Sequence, residues 1–439
     1  MDAITLSIMG IGVLSVLLAL RVPVAAALGL VAIGGIYLLV GERAMWGVLR
    51  SVPHGFAASW SLSAIPMFLL MGYVAFSAGL TDGLFRVARA WLSFLPGGLA
   101  VASVGGAALF SSVSGSSVAC AAAMGKIAIP PMIDRGYDKS LAVGTIAAAG
   151  TLGSLIPPST VLLLYAVFAE VPVSQLFIGA VIPGLLTALF YVVMIIARVL
   201  KNPELAPRDE NISWGERFAS LADIWPLMFL VIVVFGGIFG GYFSATEAGG
   251  IGALSAICIG VARRSLSLHK LIESVMETVR ATSSIFLIAV AAAMLTRFFA
   301  FAGLPEYVQG IIGETGLGQV EIIIAVALLY VVLGMFLDPI GVMLLTLPVL
   351  LPVFETSGIS LIYAGVVTTK LLEIGLITPP VGLNVFVIKN VIGNLMSADQ
   401  VFKGVLWFLV ADLVTMFLLI AFPETVLWLP ELLSNGAIR

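Results

Sequence analysis

The sequence predicts an all-α polytopic membrane protein, and three observations carry that prediction. Sixty-one per cent of its 439 residues are hydrophobic and 10% are charged, against roughly a quarter charged in an ordinary soluble domain. The apolar residues gather into runs of about 20, the length that carries a helix across a bilayer, and the mean hydropathy is +1.16. Two of the longest runs are interrupted at their middles, and the two halves of the chain resemble each other. This composition excludes a soluble enzyme, a disordered chain and a fibrous protein. A net charge of −3 gives no reason to expect a nucleic-acid partner. Cys120 and Cys258 lie in apolar stretches and make no disulfide framework. His54 and His269 are the only histidines, so no transition-metal site is expected.

In chain order, ten candidate full spans fall at about 3–20, 22–40, 59–79, 138–168, 174–197, 222–241, 246–262, 281–303, 359–393 and 399–421. The first is not expected to be a cleaved leader: no basic residue precedes its apolar core, Arg21 follows it, and Val22 opens the next run. Two further stretches, about 97–135 and 317–357, are each long enough for two short helices. The first is broken at Ser111-Ser112-Val113-Ser114-Gly115-Ser116-Ser117 and the second at Leu337-Asp338-Pro339-Ile340-Gly341. Irregular backbone at that depth needs partners other than lipid, which predicts two re-entrant hairpins.

With the N-terminus outside, the basic residues fall on the cytoplasmic side apart from Arg43, Arg50, Arg297, Lys370 and Arg439, as the positive-inside rule requires. From Phe298 to Thr369 there is no Lys or Arg, while Glu306, Glu314, Glu321, Asp338 and Glu355 occur. The first hairpin is therefore expected inside and the second outside, with Lys126 reaching the cytoplasmic interface. A polar linker at about 198–221 divides the halves. The basic segment 263–280 reads as an amphipathic helix on the cytoplasmic surface. Trp46, Trp60, Trp91, Trp225, Trp407 and Trp428 sit near span ends as an interfacial belt, and Trp214 falls in the linker.

The halves match co-linearly. Gly153-Ser154-Leu155-Ile156-Pro157-Pro158 pairs with Gly375-Leu376-Ile377-Thr378-Pro379-Pro380 at an offset of 222, which also pairs Pro130 with Pro352, Gly136 with Gly358 and Ser116 with Asp338. Ala78-Gly79-Leu80 pairs with Ala302-Gly303-Leu304 at 224, and Gln175, Phe177 and Gly179 with Gln400, Phe402 and Gly404 at 225. The expected topology runs the equivalent spans in opposite directions. Inverted repeats with broken helices mark secondary transporters, whose sites lie near the midplane. Two successive prolines unwind a helix, exposing carbonyls that suit a hard cation such as Na⁺ and helix N-termini that suit a carboxylate.

Several motifs are more specific: Ser114-Gly115-Ser116-Ser117, Lys126-Ile127-Ala128-Ile129-Pro130-Pro131-Met132, Ile156-Pro157-Pro158-Ser159, Thr246-Glu247-Ala248, and the run from Gly375 to Asn384. Through these the chain resembles, over essentially its whole length, the DctM family, the large membrane subunit of tripartite ATP-independent periplasmic (TRAP) transporters. The resemblance implies an elevator-type fold of the ion-transporter superfamily. It implies sodium-coupled import of an organic acid, such as a C4-dicarboxylate or sugar acid, handed over by a periplasmic substrate-binding protein. It further implies a bacterial inner membrane, periplasmic termini, Na⁺ as coupling ion with no other cofactor, and no covalent chemistry. A small four-helix membrane subunit is expected as a separate partner. Carried over by motif, Ser114, Gly115, Gly153 and Pro157 would shape one sodium site, and Gly341, Gly375, Thr378 and Pro379 the other. Ser116, Ser117, Ser159, Asp338, Thr378 and Asn384 would contact substrate. The division expected is scaffold 1–79, transport 80–180, scaffold 181–303, transport 304–404, and a C-terminal span and tail 405–439.

Each feature has a plainer reading. Serines at a tip can satisfy their own backbone or form a small-residue helix contact. The proline pairs can merely kink packed helices, and the binding atoms beside them can be carbonyls or the side chains of Ser159, Thr160, Thr378 and Asn384. Asp338 can cap the second arm of its hairpin, with Pro339 as first helical residue. Lys370 and Glu373 are three apart on one helical face and read as a mutual pair. Arg297 reads as a snorkelling residue and Glu247 as a carboxylate at a helix N-terminus. An intramembrane serine protease would need a base near Ser114 or Ser116, which neither histidine is placed to be. A self-contained sodium–dicarboxylate symporter of the same superfamily shares the architecture but works without a binding protein.

Overall fold

The structure, a computed structural model, describes residues 2–207 and 212–436, with no strand among them. The first half contains α1 (Ala3–Ala19), α2 (Val24–Val40), α3 (Glu42–Ala57), α4 (Ala64–Ser77), α5 (Gly83–Leu92), α6 (Gly98–Ser114), α7 (Ser117–Asp134), α8 (Lys139–Ala149), α9 (Leu152–Leu155), α10 (Thr160–Phe168) and α11 (Val173–Lys201). The second contains α12 (Trp214–Phe239), α13 (Ala245–Ala262), α14 (Leu268–Ala302), α15 (Leu304–Thr315), α16 (Gln319–Gly334), α17 (Pro339–Thr356), α18 (Leu361–Gly375), α19 (Leu383–Ile392), α20 (Ala398–Ala421) and α21 (Glu424–Gly436).

All ten apolar runs are helical, and both interrupted stretches are helical hairpins, α6–α7 and α16–α17. Helix length does not reproduce ten crossings: among the described residues eight helices are long and apolar enough to cross a membrane, the hairpin arm α17 among them. α1 and α2 stop at 17 residues each. The segment 263–280 is not a separate surface helix. Ser267 caps α14 by accepting from Lys270 N, and no Gly or Pro intervenes before Gly303, so a single helix of 35 residues runs ~52 Å, well beyond the ~30 Å hydrocarbon core. The linker is also shorter than expected, because α11 continues to Lys201 and α12 begins at Trp214. Arg208, Asp209, Glu210 and Asn211 of that linker, and Arg439, lie outside the described residues.

The repeat extends through the packing. α2 lies along α14 while its counterpart α13 lies along α4, and α11 crosses α18 as α20 crosses α8. The broken helices sit at the centre: 83% of the apolar window in Lys139–Phe168 is buried, against 28–50% in the other seven. Lipid tails are as apolar as leucine, so close backbone approach rather than the hydrophobic effect drives this association. The tightest crossing is between α8 and α20. A Cβ on Gly144 would collide with the Gly404 backbone, and one on Gly404 with the Ser140 carbonyl.

Gly144→Ala is expected to destabilise by ~1–3 kcal/mol through overpacking, seen as a lower Tm of the purified protein. Gly12→Ala, which would meet nothing within 4 Å, is the control and should not lower it. Equal Tm values for both variants would mean that the crossing yields.

Candidate functional site

The site grows from the places where helices stop. At the first tip α6 ends at Ser114, Gly115 takes φ +60°, and Ser116 caps α7 by accepting from Ala119 N at 3.4 Å. The first broken helix stops at Leu155, passes through the cis Pro157-Pro158 pair, and restarts where Ser159 accepts from Leu162 N at 3.2 Å. The two interruptions dock on each other. Gly115 O accepts from Thr160 N at 3.2 Å and from Thr160 Oγ1 at 3.0 Å. A Cβ on Gly153 would lie 2.7 Å from Ser117 Cα, so only glycine lets the helix reach the tip.

The second half repeats this junction. Asp338 caps α17 by accepting from Gly341 N at 2.9 Å, with Pro339 opening the helix. α18 stops at Gly375, the chain passes through the cis Pro379-Pro380 pair, and α19 starts after Gly382, at φ +55°. Gly382 N donates to Met335 O at 3.3 Å. A Cβ on Gly375 would lie 2.7 Å from Gly334 Cα. The sequence pairs Ser116 with Asp338, and both turn out to be hairpin caps.

A cavity of about 480 Å³ lies between the first hairpin and helices α4 and α14. Ser114, Ser116 and Thr160 line it beside Ile340 of the second tip, and Lys126, Glu273 and Glu277 also face it. Ser114 Oγ is buried without a hydrogen-bond partner. A second cavity, about 880 Å³, lies between the second hairpin, α1 and α14. Its wall is apolar apart from Ser15, Arg21 and Thr346.

The expected residues therefore divide. Ser114 and Ser116 face the smaller cavity; Ser117, Ser159, Asp338, Thr378 and Asn384 do not line it. Ser111 and Ser112 satisfy their own helix, donating to Ala107 O and Leu109 O. Thr378 Oγ1 donates to Ile374 O at 2.6 Å. Asn384 is fully buried, donates to Ala147 O at 3.4 Å, and leaves Oδ1 unpartnered. Gly115, Gly153 and Pro157 lie at the first junction; Gly341, Gly375 and Pro379 lie at the second. Glu247 forms a capping box with Ser244, and Arg297 is exposed on α14.

Lys370 and Glu373 are not a mutual pair. Lys370 Nζ lies 2.5 Å from Asp412 Oδ1, both side chains 1% exposed. Tyr191 donates to the same carboxylate oxygen at 2.7 Å, and Thr151 Oγ1 is 3.2 Å from the Tyr191 hydroxyl. Glu373 instead accepts from Ser117 Oγ at 2.5 Å. Helices distant in sequence supply these partners, so an i,i+3 spacing could not reveal them. Asp412 did carry a signal, as the acid in the middle of the apolar run 399–421, whose other acid, Asp399, stands at its first position.

Residues 11–425 match the family described as the tripartite ATP-independent periplasmic transporter, DctM component. The chain belongs to the DctM family. It is 32% identical to the C4-dicarboxylate TRAP transporter large permease protein DctM of Vibrio cholerae, covering 95% of this chain and 96% of that one. It is 35% identical to the protein of the same name from Pseudomonas aeruginosa, over 85% and 87%, and 32% identical to the sialic acid TRAP transporter permease protein SiaT of Haemophilus influenzae, over 90% and 64%. In fold it is similar to the Alcanivorax borkumensis YdaH transporter, with a TM-score of 0.64 at 15% identity, covering 96% of this chain and 99% of that one. The DctM-family chain is thus a multi-pass membrane protein and a TRAP large permease.

Removing one member of the buried pair should be costly, because it strands a charge. Asp412→Leu or Lys370→Met alone is expected to lose ~3–5 kcal/mol, and the double variant to recover most of it. Thermal unfolding of the four proteins checks this; additive losses would mean that the pair does not act as one unit.

Proposed function

We propose that the chain is the large membrane subunit of a sodium-coupled importer that receives an organic acid from a periplasmic binding protein. The observation that carries this reading is the pair of repeat-related junctions, each joining a capped hairpin tip to a broken helix. Each gathers carbonyls and helix ends, the groups that suit Na⁺ and a carboxylate. The first junction opens on a cavity lined by Ser114, Ser116 and Thr160. Substrate contact is assigned first to these three, with Lys126 on the same cavity to balance the anion. Sodium is assigned to Ser114, Gly115, Gly153 and Pro157 at one junction and to Gly341, Gly375, Thr378 and Pro379 at the other. Relatives named for C4-dicarboxylate, sialic acid and ectoine support a small organic acid.

The proposed motion is an elevator in which both junctions travel together against α1–α4 and α12–α14. The Lys370–Asp412–Tyr191 cluster joins α11 and α20 to α18. Separating it would expose buried charge, so the moving body reaches Lys201 and Ala421 rather than ending at 180 and 404. Large permeases of Vibrio cholerae and Halomonas elongata are covered to 96% and 97% of their length. Two relatives called simply permease protein are covered to 64% and 60%. The partner proposed, beside the binding protein, is a small four-helix membrane subunit. The setting proposed is the bacterial inner membrane with periplasmic termini. Against a protease, neither His54 nor His269 lines the serine cavity.

Proteoliposome uptake, with and without the binding protein and with and without an inward sodium gradient, tests the reading. Uptake requiring both is expected; uptake needing sodium alone would favour the self-contained symporter. Asp338→Asn keeps a good cap, so the complex should assemble while uptake falls by at least ~tenfold from loss of an intramembrane charge. Uptake with wild-type sodium dependence would remove Asp338 from the site. Ser116→Leu should block transport by filling the tip, and normal transport would sink the assignment of substrate to this hairpin.

A further inference from the structure

The first tip is held from the second repeat. Ser117, the first residue of α7 and neighbour of the cavity-lining Ser116, is 2% exposed. Its hydroxyl donates to Glu373 Oε2 at 2.5 Å. The same Oγ accepts from Ser154 N at 3.1 Å and lies 2.9 Å from Ser154 Oγ. Ser117 N donates back to Ser154 Oγ at 3.3 Å. Tip, α9 and α18 thus meet in one knot, in which Glu373 is 1% exposed. Two residues further along α18, Gly375 packs on Gly334 of the second hairpin. Glu373 therefore stands between the two junctions.

The knot breaks the symmetry of the repeat. At the offset of 222, Glu373 corresponds to Thr151 and Lys370 to Ala148, so the first half has no carboxylate to hold the second tip in the same way. A buried carboxylate is costly inside a membrane, and a core contact could be made by an apolar side chain of similar volume. We propose that Glu373 is a positioning residue: it fixes Ser117, and through it the Ser114–Ser116 tip, and so links the cation occupancy of one junction to the geometry of the other. The tip-fixing part stands on the hydrogen bonds alone. The sodium part rests on the transport reading above.

Two readouts separate these parts. In a Cys258→Ser background, where the remaining Cys120 is buried, a Ser114→Cys reporter is labelled with a thiol reagent in purified protein without substrate. Glu373→Ala should raise the labelling rate at least ~tenfold, the effect of losing one strong buried hydrogen bond. Glu373→Gln, which still accepts from Ser117, should stay close to the reporter alone. In the proteins without the reporter, Glu373→Ala should raise the sodium concentration for half-maximal uptake by ~tenfold with little change in maximal rate, and Glu373→Gln should restore it. Unchanged labelling in Glu373→Ala would overturn the positioning role. Faster labelling with an unchanged sodium midpoint would overturn the link between junctions. Faster labelling in a protein whose wild-type uptake ignores sodium would remove the sodium reading and leave the positioning role standing. Should Glu373→Ala fail to assemble, Ser117→Ala removes the same bond from the other side, and unchanged labelling there overturns the proposal equally.

Discussion

A hydrocarbon interior offers no water to an unpaired N–H or C=O, and the rest of this structure depends on that constraint. Two hairpin tips and two broken helices end inside the protein, where their backbone groups need protein partners. Each repeat meets the need the same way, by docking its tip on its own break: Thr160 donates to Gly115 O, and Gly382 to Met335 O. Gly153 and Gly375 let the backbones approach closely enough. The caps Ser116 and Asp338 satisfy the restarting helices.

Charge is distributed by the same logic, but unequally. The second half supplies Lys370, Glu373 and Asp412 to the buried interior, and the first half answers with Tyr191, Ser117 and Ser154. None of these pairings lies within one helix. They join α7, α9, α11, α18 and α20. The cavities beside the two hairpins differ in the same way: one is faced by serines, a lysine and two glutamates, the other almost wholly by apolar side chains.

Two of the plain readings hold. Asp338 is a cap, as its position before Pro339 suggested, and Glu247 closes a capping box, because both roles are settled by local spacing. The tip serines divided: Ser111 and Ser112 bond to their own helix, Ser117 to another, and Ser114 to nothing. Their spacing alone could not separate them, since which face of α6 and α7 meets the cavity depends on how the hairpin seats against α4 and α14.

Hydropathy, repeat and motif therefore determined by themselves that the chain is a helical membrane protein of two related halves, with interruptions at 111–117, 157–158, 337–341 and 379–380, and with family-specific residues around them. These are local properties: twenty apolar residues need a bilayer, and two prolines end a helix wherever they stand. Tertiary structure alone decided which charges meet, that α14 is one continuous helix, and that Ser114, Ser116, Thr160 and Lys126 share a cavity. Those outcomes depend on side chains as far apart in sequence as Ser117 and Glu373, or Tyr191 and Asp412, which come together only when the two halves interlock.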